Sequence, residues 1–279
     1  MVKRMNRIYL GYILVLTCCS AAADTWKLVW SDEFDRFGLP DPARWNYETG
    51  FVRNREAQYY TYWPENAHEE SGLLIIEARK EKLKNPAFDP GKTGPEAWKY
   101  TRQFADYTSA SLTTKGRASW KYGRIEVRAQ LPSGRGVWPA IWMVGTNDDS
   151  VGWPDCGEID IMEMFGHRPG IIFAHVHTPG TERPSRVEHG GAIRVPDASN
   201  AFHEYAVEWN ADRLDFFVDN QKYYSYERTD SAGWPFDKDL YLILNLAIGG
   251  TGGGIKGIDD AIFPARFCID YVRVYQREL

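Results

Sequence analysis

The densest group of chemistry-bearing residues is Gly157-Glu158-Ile159-Asp160-Ile161-Met162-Glu163-Met164-Phe165-Gly166. Alternate side chains of a strand share a face, so Glu158 and Asp160 point one way while Ile159 and Ile161 enter a core. Strict alternation would next send Glu163 inward, where an unpaired carboxylate is expensive. One extra residue near 161–162, a β-bulge, returns Glu163 to the acidic face, and bulges re-aim side chains beside active sites. Three carboxyls in one row repel, so at least one should hold its proton more tightly. An ionised carboxylate beside a proton-bearing acid is the pair that glycosidic bond cleavage needs; in retaining enzymes the two stand about 5–5.5 Å apart. Glu158 and Glu163 are the candidate pair, with Asp160 holding a proton or hydrogen bond between them. The bland alternative is a solvated acidic face, but Ile159, Ile161, Met164 and Phe165 mark a core strand.

Aromatic residues crowd the approach. The chain has 11 Trp, 16 Tyr and 13 Phe, and Trp138-Pro139-Ala140-Ile141-Trp142-Met143 lies just upstream of the acids. Aromatic planes suit the apolar faces of sugar rings, so Trp138, Trp142 and Trp153 are expected to line a cleft. His175 and His177 are two apart on a strand and share one side. That spacing begins a zinc site, but no third ligand with a convincing position appears. Cleft lining for His177 and packing or hydrogen bonding for His175 are expected instead. The run Gly249-Gly250-Thr251-Gly252-Gly253-Gly254 lacks the Gly-Lys-Ser/Thr ending of a phosphate loop and reads as a turn.

The elements that must position these residues are short β-rich runs separated by Gly, Pro, Asn and Asp. Candidates are 26–34, 73–78, 123–130, 140–144, 158–164, 171–177, 204–209, 214–218, 241–247 and 267–275. In Arg124-Ile125-Glu126-Val127-Arg128 one face is apolar and the other charged, the mark of a half-buried strand. Helical periodicity is nearly absent, which points to an all-β sandwich or barrel. Long loops are expected at 81–106, 179–200 and 249–263, and loops of that length are usually functional. No composition shift divides the chain, so residues 24–279 read as one domain.

The N-terminus reads as an export signal. Lys3, Arg4 and Arg7 precede an apolar run from Ile8 to Leu16, followed by small residues. The run falls short of the roughly 20 apolar residues that span a bilayer. Ala21 and Ala23 suit cleavage before Asp24, giving a soluble product. Leu16-Thr17-Cys18-Cys19 also resembles a lipoprotein box, which would anchor the protein through a lipidated cysteine. Removing residues 1–23 takes away three basic side chains and no acidic one, moving the net charge from −5 to −8. An acidic chain without a basic patch argues against a nucleic-acid partner. Cys156 and Cys268 remain, either as one disulfide or as two buried thiols.

The motif around Glu158, Asp160 and Glu163 resembles the catalytic signature of glycoside hydrolase family 16, in its bulged laminarinase-like form. The resemblance extends to Leu28-Val29-Trp30-Ser31-Asp32-Glu33-Phe34, Asn54-Arg55-Glu56-Ala57-Gln58-Tyr59-Tyr60-Thr61, Phe202-His203-Glu204-Tyr205-Ala206-Val207-Glu208-Trp209 and Ile269-Asp270-Tyr271-Val272-Arg273-Val274-Tyr275. It implies a β-jelly-roll of two curved antiparallel sheets with a glucan across the concave face. It implies double displacement with Glu158 as nucleophile, Glu163 as general acid/base and Asp160 assisting. It places Asn54, Asn245 and His177, with the tryptophans, against the sugar. No cofactor is required, but a structural calcium on Glu33, the Gly72 backbone and Asp270 is implied. The partner is a β-glucan, most simply bound by a monomer, in a secreted, periplasmic or surface-anchored enzyme.

One departure stands out. Many laminarinase-like relatives carry an arginine where Ser111 stands, so the grip on glucose units away from the cut is expected to differ. Together with the 81–106 insertion this makes mixed-linkage β-1,3/1,4-glucan a rival to laminarin. An algal galactan is a second substrate alternative, and a non-catalytic glucan-binding protein a third reading. Arg102, Arg183 and Arg186 are the loop cations that a galactan site would draw on.

Overall fold

The computed structural model describes residues 25–179, 189–228 and 233–278. The export signal with Cys18 and Cys19, the segment 180–188 with Arg183 and Arg186, and residues 229–232 lie outside the described residues.

Two antiparallel sheets face each other. The eight-stranded sheet runs Gln221–Glu227, Arg213–Val218, His203–Trp209, Gly123–Gln130, Ala265–Arg277, Leu73–Ala78 and Ala67–Glu70, with Trp26–Asp32 also paired to Ala265–Arg277. The seven-stranded sheet runs His189–Arg194, Ile171–His177, Glu158–Glu163, Val137–Gly145, Leu240–Ile248, Ser111–Thr113 and Asn46–Glu48. Alternation decides which side chains meet between them. Along Gly123–Gln130, Ile125, Val127 and Ala129 are fully buried, while Glu126 and Arg128 face outward. Ile159 and Leu244 from the other sheet join the same core.

The expected strands are all present, most with ends shifted by one to three residues. Nine further strands among the described residues were not foreseen, the two longest being His189–Arg194 and Gln221–Glu227. His189–Arg194 lies inside the expected 179–200 loop and forms the sheet edge beside Ile171–His177. Gln221–Glu227 forms a hairpin with Arg213–Val218 across Asp219 and Asn220, which have φ of 49° and 63°. Such a left-handed Asp-Asn pair is a hairpin signal readable in the sequence. The 81–106 segment closes on itself through the pairing of Leu83–Lys84 with Phe104–Ala105 and carries a one-turn helix, Trp98–Thr101. The Gly-rich 249–263 segment holds a helical turn at Gly250–Gly253 and a 3-10 turn at Asp260–Ile262. Cys156 and Cys268 are both free thiols.

Candidate active site

The acids stand on the outer face of the seven-stranded sheet because the strand Glu158–Glu163 is bulged. Trp142 pairs with Asp160 and Ile141 with Met162, leaving Ile161 as the extra residue. Ile161 and Met162 both turn into the core at 0% exposure, and Glu163 emerges beside Asp160. The strand is entered from Gly157, whose φ is 74°. A Cβ there would lie 2.7 Å from Pro235 Cγ, so the entry into the strand needs glycine for both backbone and space.

Asp160 bridges the row. Its carboxylate lies within 4.8 Å of ligand-type atoms of Glu158 and His177 on one side, and of Glu163 and His175 on the other. Trp153 donates its indole N–H to Glu158 at 2.8 Å, and Trp138 donates to Glu163 at 2.8 Å. His175 Nδ1 lies 2.6 Å from the other Glu163 oxygen, and His177 Nε2 lies 3.2 Å from Asp160 and 3.7 Å from Glu158. The acidic strand therefore supplies the carboxylates that the histidine pair lacked as a zinc reading, but those groups already engage each other.

Burial governs the electrostatics. It pushes the Glu158 carboxyl up to about 8, with the charge of Asp160 adding to the effect and His177 opposing it. Burial disfavours charge on His177, yet its hydrogen bond to Asp160 and the nearby carboxylates outweigh this and raise it to about 9. His175 is likewise opposed by burial but raised by its bond to Glu163.

Trp138, Trp142 and Trp153 all reach this face, in three different settings. Trp153 is 46% exposed, Trp138 is half-buried, and Trp142 is only 8% exposed. Trp142 donates to Asn245 Oδ1 at 2.7 Å, and Asn245 Nδ2 donates to the Tyr60 hydroxyl at 2.9 Å. Asn245 is thus a buried support for Trp142 rather than an amide open to the cleft. Asn54 sits in a left-handed turn with its side chain 3.4 Å from Glu56. Arg53 was missed by sequence reasoning. Its guanidinium lies 4.8 Å from the Trp142 ring and pairs with Glu48, whose carboxylate also accepts from Ser111 Oγ at 2.6 Å. A cation from another segment, Arg53, therefore stands beside the carboxylate that Ser111 bonds.

Glu33, Gly72 and Asp270 lie apart from this site, at the eight-stranded sheet. Glu33 accepts two hydrogen bonds from Arg273, at 3.0 and 2.8 Å, and Asp270 pairs with Arg128. Both carboxylates are satisfied by guanidinium groups, so as arranged this set does not fit a calcium ion, which needs several free oxygens.

The profile of Glycosyl hydrolases family 16 matches residues 55–272. The chain belongs to that family. It is 44% identical to a beta-glucanase of Rhodothermus marinus, over 98% of this chain and 96% of that protein. The structure of the laminarinase from Rhodothermus marinus superposes with a TM-score of 0.81 at 44% identity, covering 92% of this chain and all of that one. SCLam, a non-specific endo-beta-1,3(4)-glucanase crystallised with a glucan oligosaccharide, superposes with a TM-score of 0.80 at 41% identity, covering 90% and 95%. The jelly-roll fold and the glycoside hydrolase class follow from these likenesses.

Proposed function

We propose that this protein is an endo-β-1,3(4)-glucanase that cuts laminarin and mixed-linkage β-glucan by double displacement with retention. The observation that carries the reading is the row in which Asp160 lies within 4.8 Å of ligand-type atoms belonging to both Glu158 and Glu163. Glu158 attacks the anomeric carbon, and Glu163 protonates the departing glycosidic oxygen. Water then cleaves the glycosyl ester as Glu163 takes its proton. Attack requires Glu158 ionised, so its proton must leave when substrate binds, and Asp160 is its neighbour for that transfer. Trp138 and His175 fix the Glu163 carboxyl in place. Trp153 does the same for Glu158 and offers an exposed ring to the sugar.

Asn54 and His177 border the substrate path, while Asn245 acts through Trp142. Export rests on the basic start and short apolar run, with lipidation at Cys19 the anchored alternative; intact mass of the mature protein separates the two. A monomer is the simplest assembly for this fold. The test of the function is product analysis on laminarin, barley mixed-linkage glucan, cellulose and agarose, beside Glu158→Ala. Oligosaccharides from the first two, lost in the variant, are expected. Products from agarose alone would sink the substrate reading.

A further inference from the structure

From the 81–106 insertion, Arg102 reaches back to the Asn54–Glu56 segment. Arg102 donates to the backbone carbonyls of Glu56 and Arg55, at 2.5 and 3.1 Å. Its guanidinium lies over the rings of Phe51 and Trp98, at 5.0 and 5.1 Å. The insertion is held shut behind it, because Asn85 Nδ2 donates to the carbonyls of Lys99 and Arg102, both at 2.9 Å. The carbonyls that Arg102 grips belong to an unusual turn. Asn54 and Arg55 are consecutive non-glycine residues with φ of 54° and 53°. Such backbone persists only where its surroundings over-determine it. Thr251 N–H, donating to Asn54 O at 2.9 Å, is a further hold on the turn.

What the turn delivers is Arg53. Its Nη2 pairs with Glu48, its plane lies 4.8 Å from Trp142, and its Nη1 is buried with no hydrogen-bond partner among the described residues. Trp142 pairs with Asp160 on the neighbouring strand and is only 8% exposed. The ring is covered by a guanidinium instead of being open for stacking. A buried donor without a partner is unfavourable in the free protein; Nη1 is closed off as arranged, and a shift of the guanidinium on glycan binding would bring it to a sugar hydroxyl.

We infer that the insertion builds a hydroxyl-binding subsite: Arg102 locks the Asn54–Arg55 turn so that Arg53 presents a guanidinium donor across Trp142 to a glucose unit away from the cut. This rests on the glucanase reading above. Arg53 is the contacting residue and Arg102 a positioning residue that acts through it.

The test is steady-state kinetics on laminarin for Arg53→Ala, Arg102→Ala, Arg102→Lys and the double alanine variant. Laminarihexaose affinity is measured alongside in a Glu158→Ala background. Arg53→Ala should raise KM about tenfold, equivalent to about 1.4 kcal/mol, with kcat little changed and the affinity weakened in parallel. Arg102→Ala should shift KM the same way, and the double variant should be no worse than Arg53→Ala alone. Lysine at 102 keeps the charge but not the two-carbonyl fork, so it should resemble alanine. Unchanged KM and affinity in Arg53→Ala would overturn the subsite. Arg102→Ala lowering only the melting temperature, or multiplying the effect of Arg53→Ala, would overturn the coupling. A wild-type protein that releases no sugar from any glucan would sink the glucanase reading instead, and the hexaose affinities would still report on the subsite.

Discussion

At the scale of single residues, proton placement and catalytic role pull in different directions. Burial raises Glu158 to about 8, whereas a carboxyl nucleophile attacks as the anion. The proposed function has Glu158 as the nucleophile all the same, and stereochemistry decides between Glu158 and Glu163. With an activated β-glucoside donor and azide, Glu163→Ala should give the β-glycosyl azide, because azide opens a covalent intermediate formed on Glu158. Glu158→Ala should give the α-azide by direct displacement. The opposite pairing would exchange the roles. The same carboxyl cluster predicts a pH dependence of stability. Glu158 and His177 bind protons more tightly folded than unfolded. Their stabilisation is complete below their unfolded values, about 4.3 and 6.5, and is lost as pH rises through about 8 and 9. The melting temperature should therefore fall between roughly pH 4.3 and 9, most steeply from about 6.5 to 8 where both groups contribute. The double variant Glu158→Gln/His177→Gln should show a shallower fall in the same calorimetric series.

At the scale of elements, the strand that carries the candidate acids is shaped by two backbone devices, one before it and one within it. Gly157 launches it at φ 74° against Pro235 and Phe236, and the extra Ile161 restores Glu163 to the outer face. Gly157→Ala meets both left-handed strain and a 2.7 Å approach to Pro235. A cost of about 1–3 kcal/mol is expected, with kcat reduced because Glu158 is the next residue. Denaturant unfolding beside kinetics checks this; wild-type values for both would mean that the strand entry tolerates a Cβ. The neighbouring strand Val137–Gly145 contributes in a different way. Its Trp138 reaches Glu163, while its Trp142 is fixed by Asn245 from Leu240–Ile248.

At the scale of the whole molecule, the two sheets share one apolar interior, and the site lies on the opposite side of one of them. The eight-stranded sheet carries the carboxylates that family resemblance offers to calcium, yet Arg273 and Arg128 neutralise them. An ion bound only by the folded chain, at 100 times its dissociation constant, would add roughly 2.7 kcal/mol. Thermal unfolding in EDTA and in millimolar calcium should give the same midpoint. A rise with calcium would mean that the ion displaces the guanidinium partners.

Much of this protein was legible as local pattern. Alternation in Arg124–Arg128 marked inward and outward faces because strand geometry has a period of two. The misfit of Glu163 to that period marks the bulge in the sequence itself. The hairpin at Asp219-Asn220 was equally local and was overlooked. The strand His189–Arg194 was hidden for another reason: it is a sheet edge with half-exposed, Gly-containing residues, so little apolar pattern marks it. Long-range partners were beyond sequence reading. That Asn245 supports Trp142, that Arg53 covers it, and that Arg102 holds the turn depend on segments more than 40 residues apart meeting in space. Residue type says what a side chain can bond, whereas only the packed sheets decide which partner stands within 3 Å and which carboxylates are already satisfied.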